Sequence, residues 1–195
     1  MINETYEVDQ LNEAALSYFD GDNLASKVWI NKYALKKNGK YKEKSPDDTI
    51  KRLTSEIHRM ELKFKNPLEK SEIYDNLENF KNFIFGGSIL FGLGNPYQIS
   101  SLGNCFFIDN GADSYGGIFN IDETMAQLMK RRGGVGVSIE NLRPESAAVN
   151  NSAQSSTGAI SFMDRYSDTT REVAQDGRRG ALMNRCTMLK PYSKN

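Results

Sequence analysis

The chain contains few of the residues that build disulfide frameworks and metal sites. Its 195 residues include two cysteines, Cys105 and Cys186, and one histidine, His58. Two thiols do not make the framework of a small secreted domain, and His58 has no supporting ligand at the spacing typical of zinc sites. The sequence therefore predicts no structural disulfides and no metal site, and the cytoplasm is the expected compartment.

The chain also lacks a charge excess and long apolar runs. It has 25 basic and 25 acidic residues, so no overall positive field would recruit nucleic acid or an anionic membrane. No apolar run approaches the length of a membrane-spanning helix, and residues 1–10 are too polar and acidic for a secretory signal. With 38% hydrophobic and 26% charged residues, the composition is that of a globular protein with neither a membrane nor a direct nucleic-acid partner.

Residues 1–85 are predicted to form a helical domain. Ser45 and Pro46, followed by two aspartates, are typical of a helix start, because serine caps the first turn and carboxylates suit the positive end of the helix dipole. Apolar residues then recur at helical spacing until an Asn-Pro pair interrupts the pattern at residue 66. Two more amphipathic helices are predicted, one over 24–35 and one over 71–84.

Residues 86–183 are predicted to form an α/β domain. Glycine-rich sequence and short β-prone segments follow residue 86, and two amphipathic helices are predicted over 118–132 and 161–174. Either Ser161 or Thr157 could start the second helix. Between these helices, residues 133–139 are typical of a buried strand, and the small polar residues of 147–158 indicate a loop.

Three segments of this domain have side chains or backbone groups suited to chemistry. Residues 133–136, Gly-Gly-Val-Gly, follow three cations; free amides beside cations suit phosphate, although the spacing alone favours a tight helix-to-strand turn. Residues 175–180 hold two arginines between glycines, which suits phosphate or base contacts, although a solvated turn is the commoner role. Cys105 lies beside aromatic residues, a pattern compatible both with a small core residue and with an accessible reactive thiol.

The order of six segments carries a specific resemblance. The segments are LGNCF (102–106), DSYGGI (113–118), MKRRGGVG (129–136), NLRP (141–144), STG (156–158) and TREVAQDGRRGALM (170–183). This succession resembles the large subunits of ribonucleotide reductases, and 113–118 is most similar to their adenosylcobalamin-dependent (class II) branch. The resemblance extends over residues 10 to 183 and is strongest from 86 onward.

The resemblance implies a fold and an activity. The fold would be an N-terminal helical domain, 1–85, followed over 86–183 by the first part of a ten-stranded α/β barrel. The activity would be thiol-based radical reduction of ribonucleotides to deoxyribonucleotides, with adenosylcobalamin as the cofactor of the parent enzyme. Whether the substrate is a diphosphate or a triphosphate is left open.

The resemblance also assigns residues to a substrate site. Cys105 matches the first cysteine of the redox pair that supplies two electrons to the ribose. Three further residues match groups that surround the diphosphate and the ribose of the ribonucleotide: Ser88, Asn104 and Gly134.

A second set of residues matches the site of the specificity effector, a deoxynucleoside triphosphate. Asp113 and Ser114 match the polar pair at the effector, with the carboxylate on the deoxyribose hydroxyl, and Arg143 matches a cation on its phosphates. The two effector loops correspond to 147–158 and to 175–180, the second of which includes Gln175 and Arg179. In the family, a homodimer interface would cover the apolar faces of helices 118–132 and 161–174.

The chain departs from the family in its cysteines and in its last residues. The family uses a radical-bearing cysteine and a second redox cysteine far beyond the position of Cys105. Residues 184–195 are predicted to be an unmatched tail, so Cys186 receives no role. We therefore expect one piece of a reductase, inactive alone, that needs a complementary C-terminal fragment. The alternatives are a non-enzymatic truncated remnant and a nucleotide-binding dimerisation module.

Overall fold

A computed structural model describes residues 4–109, 111–173 and 180–186, which fall into two units, Met1–Leu102 and Gly103–Asn195. The first is a helical unit. Its regular elements within the described residues are α1 (Val8–Tyr18), α2 (Asn23–Lys32), β1 (Lys36–Lys37), β2 (Lys40–Tyr41), α3 (Pro46–Glu61), α4 (Lys70–Leu77), a 3-10 turn (Glu78–Phe80) and α5 (Gly87–Gly92).

Helix α3 begins where the sequence predicts. Ser45 is its N-cap in a reciprocal capping box, in which the Asp48 carboxylate accepts from the Ser45 amide at 3.0 Å. The apolar stripe of α3 is buried at Ile50 and Leu53, which pack with Ile73 of α4. The helix ends at Glu61, ahead of the Asn-Pro pair that the sequence indicates as its stop.

A β-hairpin follows α2, where the sequence predicts that the helix continues to residue 35. Helix α2 ends at Lys32, and β1 and β2 pair antiparallel with Lys36 opposite Tyr41. The turn consists of Asn38 and Gly39, both at positive φ (51° and 78°), as a tight hairpin turn requires. An Asn-Gly pair between short strands is the local signal for such a turn. Because α2 ends at Lys32, the helical prediction for residues 33–35 is wrong.

A buried ion pair connects this hairpin to α3 and α5. Glu43, 4% exposed, accepts from Arg52 Nε at 2.7 Å, from the Leu35 amide at 2.9 Å and from Thr49 Oγ1 at 2.9 Å. The terminal nitrogens of Arg52 donate to backbone carbonyls at the end of α5, those of Leu90 and Leu93. Helix α5 is thereby held by α3, so the helical unit extends to residue 102 rather than to 85, where the sequence analysis set the boundary.

The second unit is built on a parallel sheet. Within its described residues the elements are β3 (Cys105–Ile108), α6 (Tyr115–Met129), β4 (Gly134–Ser138), α7 (Gly158–Glu172) and β5 (Leu182–Arg185). The strand order is β3-β4-β5, with both pairs parallel. Because a helix separates each pair of strands, the unit consists of two successive β-α-β connections. The predicted strand over 133–139 and α/β architecture are confirmed, whereas the full ten strands stay a prediction.

Both predicted helices of this unit are present, and each begins three residues before the start of its predicted range, 118 or 161. Ser114 is the N-cap of α6, since its Oγ accepts from the Gly117 amide at 3.2 Å, so the helix starts at Tyr115 rather than at 118. At its other end Arg132 has a positive φ of 72°, a conformation that cannot continue a right-handed helix. Helix α7 starts at Gly158, directly after the N-cap Thr157.

The apolar faces of α6 and α7 are buried against the sheet of the same chain. Met125, Val137 and Tyr166 are fully enclosed in this core, and the Tyr166 hydroxyl donates to the Ile118 carbonyl at 3.3 Å. Burial raises the pKa of Tyr166 to about 12. β4 covers the buried faces of these two helices within the same chain, and a homodimer through helices 118–132 and 161–174 stays a prediction.

None of the helices in the described parts of the chain has the length and apolarity needed to cross a membrane.

Candidate functional site

One face of the parallel sheet is open in the described residues. Register partners in parallel strands point to the same side, and the partners Phe106–Val135 and Ile108–Val137 alternate with Cys105–Gly134 and Phe107–Gly136. Val135 and Val137 belong to the core under the helices, so the second set lies on the opposite face. On that face the side chains of Phe107 and Met183 are 61% and 73% exposed. We call this surface the open face.

Cys105 lies on the open face at the start of β3. Its thiol is exposed, which favours the accessible thiol over the core residue that the sequence also allowed. The neighbouring Asn104 is exposed too, and its backbone carbonyl accepts from the Gly134 amide at 2.8 Å. Three of the four predicted substrate-site residues thus lie within one pair of hydrogen-bonded strand ends. The fourth, Ser88, is fully buried in α5 of the helical unit.

The glycines of the 133–136 segment differ in whether their surroundings leave room for a side chain. Gly133 lies in a tight turn, its amide donating to the Leu128 carbonyl at 3.0 Å, and a Cβ there would lie 2.8 Å from the Phe106 ring. A Cβ at Gly134 would lie 3.4 Å from its nearest neighbours, which is ordinary contact. The turn interpretation is thus confirmed for Gly133, while packing alone does not demand a glycine at 134.

This contrast gives a paired prediction. Gly133→Ala is expected to lower the free energy of unfolding by about 1–3 kcal/mol, because the new methyl group clashes with Phe106. Gly134→Ala, the matched control, is expected to change it by less than about 1 kcal/mol. Thermal or urea denaturation followed by circular dichroism measures both. Equal losses in the two variants would contradict this assignment of the turn.

Two residues predicted to contact the effector are bonded to each other. Arg143 Nε lies 2.5 Å from Asp113 Oδ2, and a terminal nitrogen of Arg143 donates to the Asp113 carbonyl at 3.2 Å. The pair is half-buried, with side-chain exposures of 37% for Arg143 and 29% for Asp113. It connects the loop that leads into α6 with the segment that follows β4. A cation and a carboxylate thus lie side by side at the N-terminal end of α6.

The predicted first effector loop, 147–158, is a short hairpin-like structure. Ser146 and Ser156 are joined by an amide-to-carbonyl bond of 2.9 Å, Ala148 and Ser155 form an antiparallel bridge, and the Val149 amide donates to the Gln154 carbonyl at 3.1 Å. We call residues 146–156 the loop hairpin. The other terminal nitrogen of Arg143 donates to the Ala148 carbonyl at 3.5 Å, which attaches the loop hairpin to the Arg143–Asp113 pair.

The remaining predicted residues divide into two groups. Ser114 is the N-cap of α6, and its hydroxyl accepts a hydrogen bond from the helix backbone at Gly117. Gln175 and Arg179, assigned to the second effector loop, lie outside the described residues. Within the described parts of the chain, no group of three or more histidine, cysteine, aspartate or glutamate side chains is arranged to hold a metal ion.

Sequence reasoning missed a polar and aromatic cluster that joins α6 to α7. Asp122, largely buried, accepts from Arg165 at 2.7 Å and from Thr169 at 2.5 Å. The Arg165 guanidinium also lies 4.6 Å from the centre of the Phe119 ring, which stacks on Tyr115. Tyr115 and Phe119 are 56% and 47% exposed, so they form an aromatic surface beside a fixed cation. Only the register between the two helices brings these residues together, and no local pattern indicates it.

The comparison with known families matches this second unit. Residues 103–189 match the profile described as "Ribonucleotide reductase, barrel domain", beginning at the first residue of the sheet unit. The chain is similar to ribonucleotide reductase large subunits. The match runs through residue 189, and β5 pairs Asn184 and Arg185 with β4, although the sequence analysis set an unmatched tail from 184.

Individual proteins are similar to this chain over most of its length. The ribonucleoside-diphosphate reductase large chain of Cryptosporidium parvum is 31% identical over 167 residues, which is 84% of this chain and 20% of that protein. The large subunit of Variola virus is 29% identical over 172 residues (87% of this chain, 21% of that protein), and that of Arabidopsis thaliana is 27% identical over 176 (89% and 20%).

The relatives are much longer than this chain, and their names bear on the branch of the family. The chain spans about a fifth of the length of the curated relatives that it matches. These relatives are eukaryotic and viral ribonucleoside-diphosphate reductases, and they give no support to the adenosylcobalamin-dependent branch that the sequence analysis favoured.

Proposed function

We propose that this chain is the N-terminal portion of a ribonucleotide reductase large subunit, carrying one redox cysteine and the specificity-effector segment. The observation that carries the proposal is the juxtaposition of Cys105 and Gly134 as register partners on the open face. Cys105 is exposed, and Gly134 beside it has no side chain that would block a ribose, so this thiol is suited to be one half of a dithiol reductant. The rest of the barrel would supply the radical cysteine and the second redox cysteine.

The substrate would be a ribonucleotide. Its diphosphate and ribose would meet Asn104 and Gly134 at the strand ends. The assignment of Ser88 to the same substrate stays a prediction. The curated relatives are named as ribonucleoside-diphosphate reductases, which favours a diphosphate substrate. Adenosylcobalamin stays a prediction for the parent enzyme, and no residue of this chain is assigned to it.

The partners would be other polypeptides of the same enzyme. A complementary C-terminal fragment or the remainder of the subunit would cover the open face, and the name large subunit implies a small-subunit partner. A homodimer through helices 118–132 and 161–174 could use the exposed rings of Tyr115 and Phe119 on α6. The alternative of a nucleotide-binding dimerisation module predicts dimers that bind deoxynucleotides without the C-terminal fragment.

The effector assignment is tested at Arg143. Replacement by alanine is expected to weaken dTTP binding by about tenfold to a hundredfold, since a hydrogen bond to a charged group contributes about 1.5–3 kcal/mol. Titration calorimetry with the purified chain measures this change. Arg179→Ala is expected to have a smaller effect, because that loop also depends on bound substrate.

Arg171→Ala is the matched control. Arg171 lies on α7 with its side chain 72% exposed, and it pairs with the surface carboxylate of Asp168. Its loss should leave the dTTP dissociation constant within about twofold. A dTTP complex that Arg143→Ala does not weaken would refute the effector role of Arg143.

A further inference from the structure

Three of the five N–H donors of the Arg143 guanidinium have acceptors within the protein. Its three nitrogens face the carboxylate of Asp113 at 2.5 Å, the carbonyl of Asp113 at 3.2 Å and the carbonyl of Ala148 at 3.5 Å. An arginine has five N–H donors in a fixed planar fork, so its directions are limited. Both bonds to Asp113 lie on the Nε–Nη2 side of the fork, so a phosphate can pair side-on with these two nitrogens only if Asp113 leaves them.

We propose that the Arg143–Asp113 pair is a clasp that a nucleotide's phosphates must open. The phosphates would replace Asp113 as the acceptor for Arg143, and Asp113 would be released to accept from the sugar hydroxyl. The two effector roles thus become a single exchange of partners. This inference rests on the proposed function, because that function brings phosphates to Arg143.

The exchange has a second consequence through the loop hairpin. Arg143 holds the Ala148 carbonyl at one end of its fork and Asp113 at the other, so the clasp attaches residues 146–156 to the start of α6. Turning the guanidinium toward phosphate weakens this attachment. Nucleotide binding would therefore alter the mobility of the loop hairpin, which is the kind of local change that a specificity effector has to transmit.

The clasp also explains why a nucleotide would be preferred to phosphate alone. An anion without a sugar would take Arg143 away from Asp113, and it has no hydroxyl that could donate to the Asp113 carboxylate in its place. A nucleotide compensates the same carboxylate with a hydroxyl donor. The affinity ratio between dTTP and inorganic tripolyphosphate therefore measures the exchange.

The experiment compares Asp113→Asn with Glu145→Gln, a matched loss of one negative charge at an exposed position in the same segment. In calorimetry on the full chain, Asp113→Asn is expected to bind tripolyphosphate about two- to fivefold more tightly, the range that a half-exposed ion pair supports. Its preference for dTTP over tripolyphosphate should fall. Glu145→Gln should change neither quantity by more than about twofold.

Hydrogen exchange of the ligand-free chain provides an independent measurement. Amides of the loop hairpin should exchange faster in Asp113→Asn than in the wild type, whereas Glu145→Gln should leave them unchanged. Unchanged exchange in Asp113→Asn, or equal gains in tripolyphosphate affinity for both variants, would overturn the clasp. If neither tripolyphosphate nor dTTP binds to the wild type, Asp113→Asn or Glu145→Gln, the effector role of Arg143 is overturned. The proposed switch of partners is then overturned too, even if hydrogen exchange shows that the Arg143–Asp113 pair holds the loop hairpin.

Discussion

Replacement of Arg52 by alanine is expected to lower the free energy of unfolding of the helical unit by about 3–5 kcal/mol. The side chains of Arg52 and Glu43 are 10% and 5% exposed, so the variant leaves the Glu43 carboxylate buried without its cation. The carbonyls of Leu90 and Leu93 lose their donor as well. Removing one member of a buried pair costs more than the pair contributes, because the remaining charge keeps its desolvation penalty.

The single tryptophan offers a direct probe of this change. The Trp29 indole donates to Thr49 Oγ1 at 3.0 Å, and Thr49 in turn donates to Glu43, so urea denaturation followed by Trp29 fluorescence reports on the same network. Arg59→Ala is the control on the same helix, since Arg59 is 58% exposed and pairs with Glu56 at the surface. Its substitution should leave the urea midpoint close to that of the wild type.

Two further variants keep this prediction decisive if Arg52→Ala does not fold. Arg52→Lys keeps the charge but not the fork, so it should lose less stability than alanine. Replacing Glu43 by Leu and Arg52 by Met together should recover much of the loss, because no buried charge remains. A midpoint for Arg52→Ala equal to that of Arg59→Ala would show that the network contributes little.

Cys105→Ser is expected to abolish dithiol-dependent turnover in a reductase reconstituted from this chain and a complementary C-terminal fragment. A serine hydroxyl occupies nearly the same space but does not donate electrons or form a disulfide, so the reduction of the ribose stops.

The purified chain alone, assayed with ribonucleotide, dithiol and adenosylcobalamin, should form no deoxynucleotide. Product formation is followed by chromatography of the nucleotides.

Cys186→Ser is the matched control for this experiment. Both cysteines are exposed, and the substitution is chemically identical. Turnover should be nearly unchanged in Cys186→Ser, since Cys186 follows β5 and has no counterpart in the predicted redox pair. Equal loss of turnover in the two variants would mean that the role of Cys186 was misjudged, and full turnover in Cys105→Ser would remove the main support for the proposed function.

Elements with local signals could be predicted from the sequence. The start of α3 is encoded by Ser45 and the carboxylates that follow it, and β4 by a short apolar run after glycines. The start of α6 was misjudged because the amphipathic pattern begins at 118, whereas the cap that fixes the helix is Ser114. The hairpin turn at Asn38 and Gly39 had its signal, which the preceding helical pattern obscured.

The contacts within the candidate site could not be predicted in the same way. The resemblance assigned Asp113 and Arg143 separately to the sugar and the phosphates of one ligand, and nothing local indicates that they bond to each other across 30 residues. The Glu43–Arg52 pair likewise depends on how the hairpin returns against α3. Such pairs are set by tertiary packing, for which residue type and spacing give no signal.

The strand order of the sheet unit has a consequence for how the chain folds during synthesis. Because β3, β4 and β5 are neighbours in the same order in which they occur in the sequence, each strand pairs with the one before it. Each step closes a loop only as long as one helix and its connections, so pairing needs no distant segment and the entropic cost of closure stays modest. The growing edge always belongs to the strand made last, and the nascent sheet can therefore extend by addition at that edge.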